Sequence, residues 1–451
     1  MMVREDFKIT FFCSSVPEGF VNQLNKCGFC LEGIDGESSF LEKIKPGSIV
    51  VLDGYNFTSD YQKKIKSLGA KLVLIDDLHN KEIFADLIIN QTPGIKPSDY
   101  IKQWYTQLCL GLEYVLLRPD FLISATRNRE IKKIENVLIC FGGSDNKDLT
   151  ILTLDMVKEF PVFKKIFVIT GSAYKEKSSF QDLINSDDRI IRYNNLNEEQ
   201  MLSVMMSAHL AIVPASSILL EVLAAKCLAI SGFYVDNQKF LYENLRQLNA
   251  FTDAYDFNPE ILRQSIFKAL SETKNVPALI DGQSPFRIKK CFTTLRYDNL
   301  CFLRKVTPAD LNLTYSWASD PIIRKYSFQA HEISMEVHTE WFNRKILDLN
   351  CYFFILVLGE EPVGSIRFDI SSGIAIISYL VDSKFHGKGF GQVLLKKGIE
   401  QMLQIRNENK AKFNVFSGSV MFENIGSRKA FERLGFSSAP HEGYLKFELS
   451  I

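Results

Sequence analysis

The sequence predicts two parallel α/β units followed by a smaller α+β unit, and three observations carry that reading. Short apolar runs alternate with amphipathic stretches over about the first 270 residues, the signature of strands joined by crossover helices. The alternation breaks across 118–133, where Arg118-Pro119-Asp120 and a charged stretch divide one unit from the next. From Leu300 the order changes to a strand, two helices, three consecutive strands and a glycine-rich turn that opens a helix.

The expected strands of the first two units are Ile9–Cys13, Ile49–Leu52, Lys71–Ile75, Leu87–Asn90, Val137–Cys140, Ile166–Ile169, Ile190–Tyr193 and Leu210–Val213. Each is a short run of β-branched and other apolar residues. Helical periodicity marks Glu199–Ala208 and Leu219–Lys226. Residues 274–287 read as a connector with Pro277, Asp281-Gly282 and Pro285, followed by a short helix to Leu295. The last unit predicts a strand at Cys301–Lys305 and helices across Pro308–Ser319 and Met335–Asp348. Strands follow at Tyr352–Leu358, Pro362–Asp369 and Ile374–Val381, then the glycine loop and its helix. Strand Lys412–Phe416, helix Ser427–Leu434 and strand Tyr444–Leu449 complete it.

Composition is that of a globular protein, 46% apolar and 24% charged, over 451 residues. Lys+Arg and Asp+Glu are both 53, and this zero balance argues against nucleic acid or an anionic membrane as main partner. The cysteines, nine and scattered, read as buried free thiols in a reducing cytoplasm. Cys27-x-x-Cys30 has no second pair and no neighbouring histidine, so no metal is expected. Met1–Asp6 lacks an apolar signal core, and no run of about eighteen apolar residues occurs. Oligomeric state stays open.

The segment Lys384-Phe385-His386-Gly387-Lys388-Gly389-Phe390-Gly391 follows the apolar run Ile374–Val381 and opens a helix. Its glycines let the backbone approach a ligand and present N–H groups to a pyrophosphate. A second signal follows, Asn424-x-x-Ser427-x-x-x-Phe431-x-x-x-Gly435-Phe436. Together they resemble the GNAT acetyltransferases over roughly the last 150 residues, with His386 in place of the usual Gln or Arg. The resemblance implies acetyl-CoA as cosubstrate, held by His386, Gly387, Lys388, Gly389, Phe390 and Gly391, with Asn424 and Ser427 toward the pantetheine arm. It implies a backbone N–H donor to the thioester oxygen near Leu380 and Val381. Phe431 stands where many relatives carry a tyrosine acid. Tyr379 and Tyr444 are candidate donors, or core residues. His331 and His338 lie in the region that shapes the acceptor site in that fold.

Three strand-end segments carry chemistry in the first two units. These are Asp53-Gly54-Tyr55, Gly142-Gly143-Ser144-Asp145, and Ser216-Ser217 with Glu221 one turn inside a helix. Hydroxyls at a helix start suit a diphosphate and a carboxylate suits a ribose, although an N-cap and a helix-face acid explain the same pattern. With Asp236-Asn237-Gln238 they resemble the nucleotide-sugar hydrolases of pseudaminic acid synthesis and the related spore-coat polysaccharide proteins, over about Lys8–Leu295. The resemblance implies a GT-B-like pair of Rossmann domains, with nucleotide bound by Gly142, Gly143, Ser216, Ser217, Glu221, Asn237 and Gln238. It implies sugar chemistry at Asp53 and Tyr55 and release of UDP from UDP-2,4-diacetamido-2,4,6-trideoxy-β-L-altrose, by water attack with inversion and without metal. That pathway also acetylates the 4-amino group, which accords with the second resemblance.

One departure is large. The family's G-x-G-H-x-x-R loop, with its general-base histidine, is absent; histidines occur at 79, 209, 331, 338, 386 and 441. The expectation is a first Rossmann domain lacking its opening strand, with Met1–Asp6 as the tail of its first helix and hydrolysis impaired. His79 is a substitute base or a solvated loop residue. The expected domains are 1–125, 126–296 and 298–451. Two further readings are kept: a peptide N-acetyltransferase with an inert nucleotide-sugar module, and a non-catalytic nucleotide-sugar binding protein.

Overall fold

All eight strands expected in the first 270 residues form, and each lies in a parallel ladder. The computed structural model describes residues 6–16, 18–143, 145–272, 276–328 and 331–451; Met1–Glu5 and Ser144 therefore lie outside the described residues. Strands β1 (Thr10–Cys13) and β2 (Cys30–Gly33) pair with each other in a two-stranded sheet. Strands β3 (Ile49–Asp53), β4 (Lys71–Ile75), β5 (Leu87–Asn90) and β6 (Gln107–Leu110) form a second sheet in that order. A third sheet contains β7 (Asn136–Ile139), β8 (Lys165–Thr170), β9 (Ile190–Asn194), β10 (Leu210–Pro214), β11 (Leu228–Gly232) and β12 (Thr252–Tyr255). Its order is β12-β11-β10-β7-β8-β9.

The last sheet contains β13 (Cys301–Lys305), β14 (Cys351–Leu358), β15 (Glu361–Ser371), β16 (Ile374–Val381), β17 (Val415–Met421), β18 (Ser437–His441) and β19 (Tyr444–Ser450). Its order is β13-β14-β15-β16-β17-β19-β18, antiparallel except for the β16–β17 pair. The expected strand at Lys412–Phe416 begins later, at Val415. The expected short helix to Leu295 is a longer one, Ser284–Leu300, which runs directly into β13.

Helix starts follow local chemistry. Asn197 caps the Glu198–Ser207 helix in a capping box with Gln200, and Thr307 with Asp310 does the same ahead of Leu311–Ser319. Pro119 and Pro259 occupy first helical positions, where a missing N–H costs nothing.

Two compact units result. One consists of residues 90–96 and 109–287; the other of residues 2–89, 97–108 and 288–451. In the first, the faces of the β7–β12 sheet bury two apolar layers, one around Leu138, Val213 and Leu219, the other around Val137, Ile212 and Phe163. In the second, Phe368, Phe416, Phe431 and Phe447 fill the core beneath the Phe390–Asn407 helix. Among the described residues no helix is long and apolar enough to cross a membrane. None of their His, Cys, Asp and Glu side chains cluster to hold a metal ion.

Candidate functional site

The glycine loop joins β16 to the Phe390–Asn407 helix. Gly387 (φ 76°) and Gly389 (φ 94°) adopt left-handed backbone, which a side chain would strain. Among the described residues, the N–H groups of Gly387, Gly389, Phe390 and Gly391 donate to no backbone carbonyl. They are a set of free donors at the positive end of an 18-residue helix. A Cβ built on Gly387 would meet nothing within 4 Å, so the space in front of the loop is open.

Beside the loop the sheet splays. Strand β16 pairs with β17 only from Ile374↔Val415 to Ile377↔Gly418, yet with β15 as far as Val381↔Gly364. The Asp382 N–H donates to Val363 O at 2.9 Å. Ladder alternation then directs the Leu380 amide to β15 and leaves the Val381 amide facing the opening. His386 Nε2 hydrogen-bonds Val381 O at 2.9 Å, closing the loop back onto the strand. A Cβ on Gly364 would lie 2.4 Å from Leu380 O, so this close pairing requires glycine.

Asn424 caps the Ile425–Arg433 helix, its Oδ1 accepting the Ser427 N–H at 3.1 Å. Ser427 Oγ accepts from Tyr379 Oη at 3.0 Å, which ties β16 to that helix. Burial pushes the Tyr379 hydroxyl up to about 12, so it stays protonated at neutral pH. Phe431 is core, stacked on Phe447 at 5.0 Å. His338 is buried, bonded to Thr314 Oγ1 at 3.1 Å and lowered by that burial, so it packs the wall behind Trp341. His331 is exposed and its carbonyl accepts from Arg324.

The second constellation lies at the C-terminal ends of β7, β10 and β11. The chain runs outward from β7 through β8 to β9, then returns to β10 on β7's other side, so β7 and β10 flank a topological switch point. Gly142 (φ 84°) and Gly143 turn after β7, and Gly143 backbone packs against Gly171, where a Cβ would meet Gly143 Cα at 2.6 Å. Asp145 fixes this turn, its carboxylate accepting the N–H groups of Leu149 (3.0 Å) and Thr150 (2.7 Å). After β10, Ser216 is extended and the exposed Ser217 begins a helix.

Glu221 sits on the second turn of that helix, and Arg118 grips it. Burial raises the Glu221 carboxyl, and the guanidinium opposes that rise. After β11, Asn237 is exposed while Gln238 is buried, its Oε1 accepting the Tyr234 N–H at 3.0 Å. Tyr234 Oη reaches Phe141 O at 3.3 Å, tying the β11 loop to the glycine turn. At the end of β3, Asp53 and Tyr55 are exposed; Tyr55 donates to Asp77 Oδ2 at 3.0 Å, and Lys81 Nζ donates to Tyr55 O and Phe57 O.

Residues 301–437 match the model of the acetyltransferase (GNAT) domain. This stretch of the chain is a GNAT domain. Ahead of the GNAT domain, the chain is 29% identical over 246 residues (53% of this chain, 86% of the relative) to the UDP-2,4-diacetamido-2,4,6-trideoxy-beta-L-altropyranose hydrolase of Campylobacter jejuni. It is 26% identical over 231 residues (49% and 68%) to the spore coat polysaccharide biosynthesis protein SpsG of Bacillus subtilis. An uncharacterized protein of Methanocaldococcus jannaschii is 24% identical over 461 residues, 95% of this chain and 90% of that protein. Both the Rossmann-like regions and the GNAT domain thus have counterparts in that archaeal chain.

The structure gathers Gly142, Gly143, Ser216, Ser217, Glu221, Asn237 and Gln238 onto neighbouring strand ends of one sheet. It gathers His386, Gly387, Lys388, Gly389, Phe390, Gly391, Asn424 and Ser427 around the splay of another. Sequence reasoning missed Arg118, which it used only to mark a boundary. No local pattern pairs it with a glutamate 103 residues away.

Proposed function

We propose that the chain acts on a UDP-activated amino sugar of nonulosonic acid synthesis. The GNAT domain, 298–451, acetylates the 4-amino group from acetyl-CoA, and the Rossmann-like regions, 1–125 and 126–296, split UDP from the product. One observation carries this reading: a GNAT domain and a region similar to a UDP-sugar hydrolase occupy one chain.

In the GNAT domain the amides of Gly387, Gly389 and Gly391, with Lys388 and His386, hold the pyrophosphate. The Val381 amide faces the opening and donates to the thioester oxygen as charge develops there. The amine nitrogen forms its bond to the acyl carbon, the C–S bond breaks, and the thiolate leaves with the amine's proton passing to solvent. Asn424 and Ser427, braced by Tyr379, line the pantetheine side.

In the Rossmann-like regions Gly142, Gly143, Ser216 and Ser217 present amides and hydroxyls to the diphosphate, and the Glu221 carboxylate meets the ribose. Asn237 and Gln238 complete that pocket. Asp53 and Tyr55 are the residues proposed for the sugar chemistry. Water attacks the anomeric carbon and passes its proton to solvent while the C–O bond to UDP breaks and UDP leaves, with no metal required.

The test is direct. The full chain is incubated with acetyl-CoA and a UDP-4-amino-4,6-dideoxy sugar. Mass spectrometry should show the gain of one acetyl group, and phosphorus NMR should follow UDP. Acetylation of basic peptides with the sugar nucleotide untouched would move the reading to a peptide acetyltransferase.

A further inference from the structure

The helix that opens at the glycine loop is seated in a buried charge cluster built with β4, the turn into β5 and the Ser284–Leu300 helix. Lys396, two turns into the Phe390–Asn407 helix, is 6% exposed. Its Nζ lies 3.1 Å from Asp86 Oδ1 and 2.7 Å from Asp298 Oδ2, both carboxylates being buried. Asp86 also accepts the Leu72 N–H of β4 at 2.8 Å and pairs with Lys66; Asp298 pairs with Lys71 and Lys397. The Tyr105 ring takes the ammonium groups of Lys66 and Lys396 at 5.3 and 5.4 Å. Glu400 adds a more distant, half-exposed carboxylate, 3.9 Å from Lys396.

The start of the helix is held from the same side. Gln392, in its first turn and buried, donates to Gln107 Oε1 at 3.0 Å; Gln107 donates in turn to Cys291 Sγ at 3.2 Å. Phe390 stacks on Tyr297 at 4.3 Å, and a Cβ on Gly389 would meet Thr294 Oγ1 at 2.7 Å. Thus β4, the turn into β5, the 104–107 segment and the Ser284–Leu300 helix form the bed on which the loop rests.

Such a cluster contributes geometry more than net stability, because breaking any one pair leaves a buried charge uncompensated. It also places four ammonium groups against two fully buried carboxylates, an excess of positive charge about 9 Å along the axis from the proposed pyrophosphate. We propose that Lys396 and Gln392 are positioning residues for acyl-CoA, and that CoA binding is coupled through them to the β4–β5 part of the preceding sheet. This rests on the reading of the glycine loop as the CoA site.

The experiment uses the full chain with CoA as probe. Calorimetry on the wild type tests the site itself. Hydrogen exchange with and without CoA then follows peptides over 71–75 and 87–89. CoA should slow exchange there in the wild type. Lys396→Met should abolish that distant protection and weaken CoA about tenfold or more, and Lys396→Arg should restore part of both. If Lys396→Met does not fold, Gln392→Leu is read in the same way. Wild-type binding with protection confined to 374–450, or full affinity and distant protection in the folded variants, overturns the coupling while leaving the CoA site standing. No CoA binding by the wild type overturns both.

Discussion

Arg118 holds Glu221 by two parallel hydrogen bonds, Nε to Oε1 and Nη2 to Oε2, each 2.9 Å. The fork opposes the rise that burial imposes on this carboxylate, on the helix that begins at Ser217, beside the glycine turn after β7. The ribose recognition proposed for Glu221 would then depend on a residue that need not touch the nucleotide.

Glu221→Ala should weaken UDP binding at least tenfold by calorimetry. Arg118→Ala should weaken UDP and also cost about 1–3 kcal/mol of stability, since a buried acceptor loses its charged donor. Arg118→Lys keeps the charge without the fork and should fall between. Unchanged UDP affinity in Glu221→Ala would remove the ribose assignment.

Gly389→Val should abolish CoA binding and also lower the melting temperature. The residue has φ 94°, and its Cβ would meet Thr294 Oγ1 at 2.7 Å. The backbone strain alone is about 1–2 kcal/mol. Adding Thr294→Ala should return part of the melting temperature but none of the affinity. Gly387 offers a cleaner probe, because a Cβ there has nothing within 4 Å; Gly387→Ala should be milder on stability than on CoA affinity.

Gly418 faces Phe431, and a Cβ there would lie 2.5 Å from the ring. Gly418→Ala should cost about 1–3 kcal/mol through overpacking, read by urea unfolding. Gly418→Ala with Phe431→Leu should recover a share of it. Equal stability of Gly418→Ala and wild type would show that the ring can move aside, and the strand splay with it.

Acid should unfold the GNAT-bearing unit earlier in Lys396→Met than in the wild type. Burial alone would raise Asp86 and Asp298, but Lys396, Lys71, Lys66 and Lys397 outweigh it and hold both carboxyls below their usual range. Their folded values lie below the unfolded value of about 3.9, so the unfolded chain takes up protons first as pH falls. The stability so conferred is complete at neutral pH and is lost from about pH 5 downward. Removing one ammonium shrinks the depression, and an acid titration followed by tryptophan fluorescence should shift to higher pH. No shift would mean that Lys396 contributes little to either carboxylate.

The strands that sequence reasoning found are those made of β-branched runs, such as Val137–Ile139 and Leu210–Val213, because burial on both faces of a parallel sheet demands them. Two of those it missed lack that signal. Strand β2 is Cys30-Leu31-Glu32-Gly33 and mostly exposed, and β12 is Thr252-Asp253-Ala254-Tyr255. The glycine loop was legible because left-handed backbone at Gly387 and Gly389 leaves a local trace in composition. The contacts Arg118–Glu221, Tyr379–Ser427 and Gln107–Gln392 span 48 to 285 residues and leave none. His386 departs from the usual residue of its motif, and its bond to Val381 O gives the departure a use.

The make-up of the GNAT-bearing unit has a consequence for synthesis. Residues 2–89 belong to a body that is completed only by residues 288–451. At about 5–20 residues per second, the roughly 200 intervening residues take on the order of 10–40 s to leave the ribosome. Through that interval Asp86 waits without Lys396, and β4 without the helices that neutralise its border. The intervening unit, 109–287 with a short insert from 90–96, can fold meanwhile from contacts already made. Nascent chains are then expected to expose an unfinished, charged surface beside β4 and β5 until the last segment emerges, which makes them a natural client for chaperones during translation.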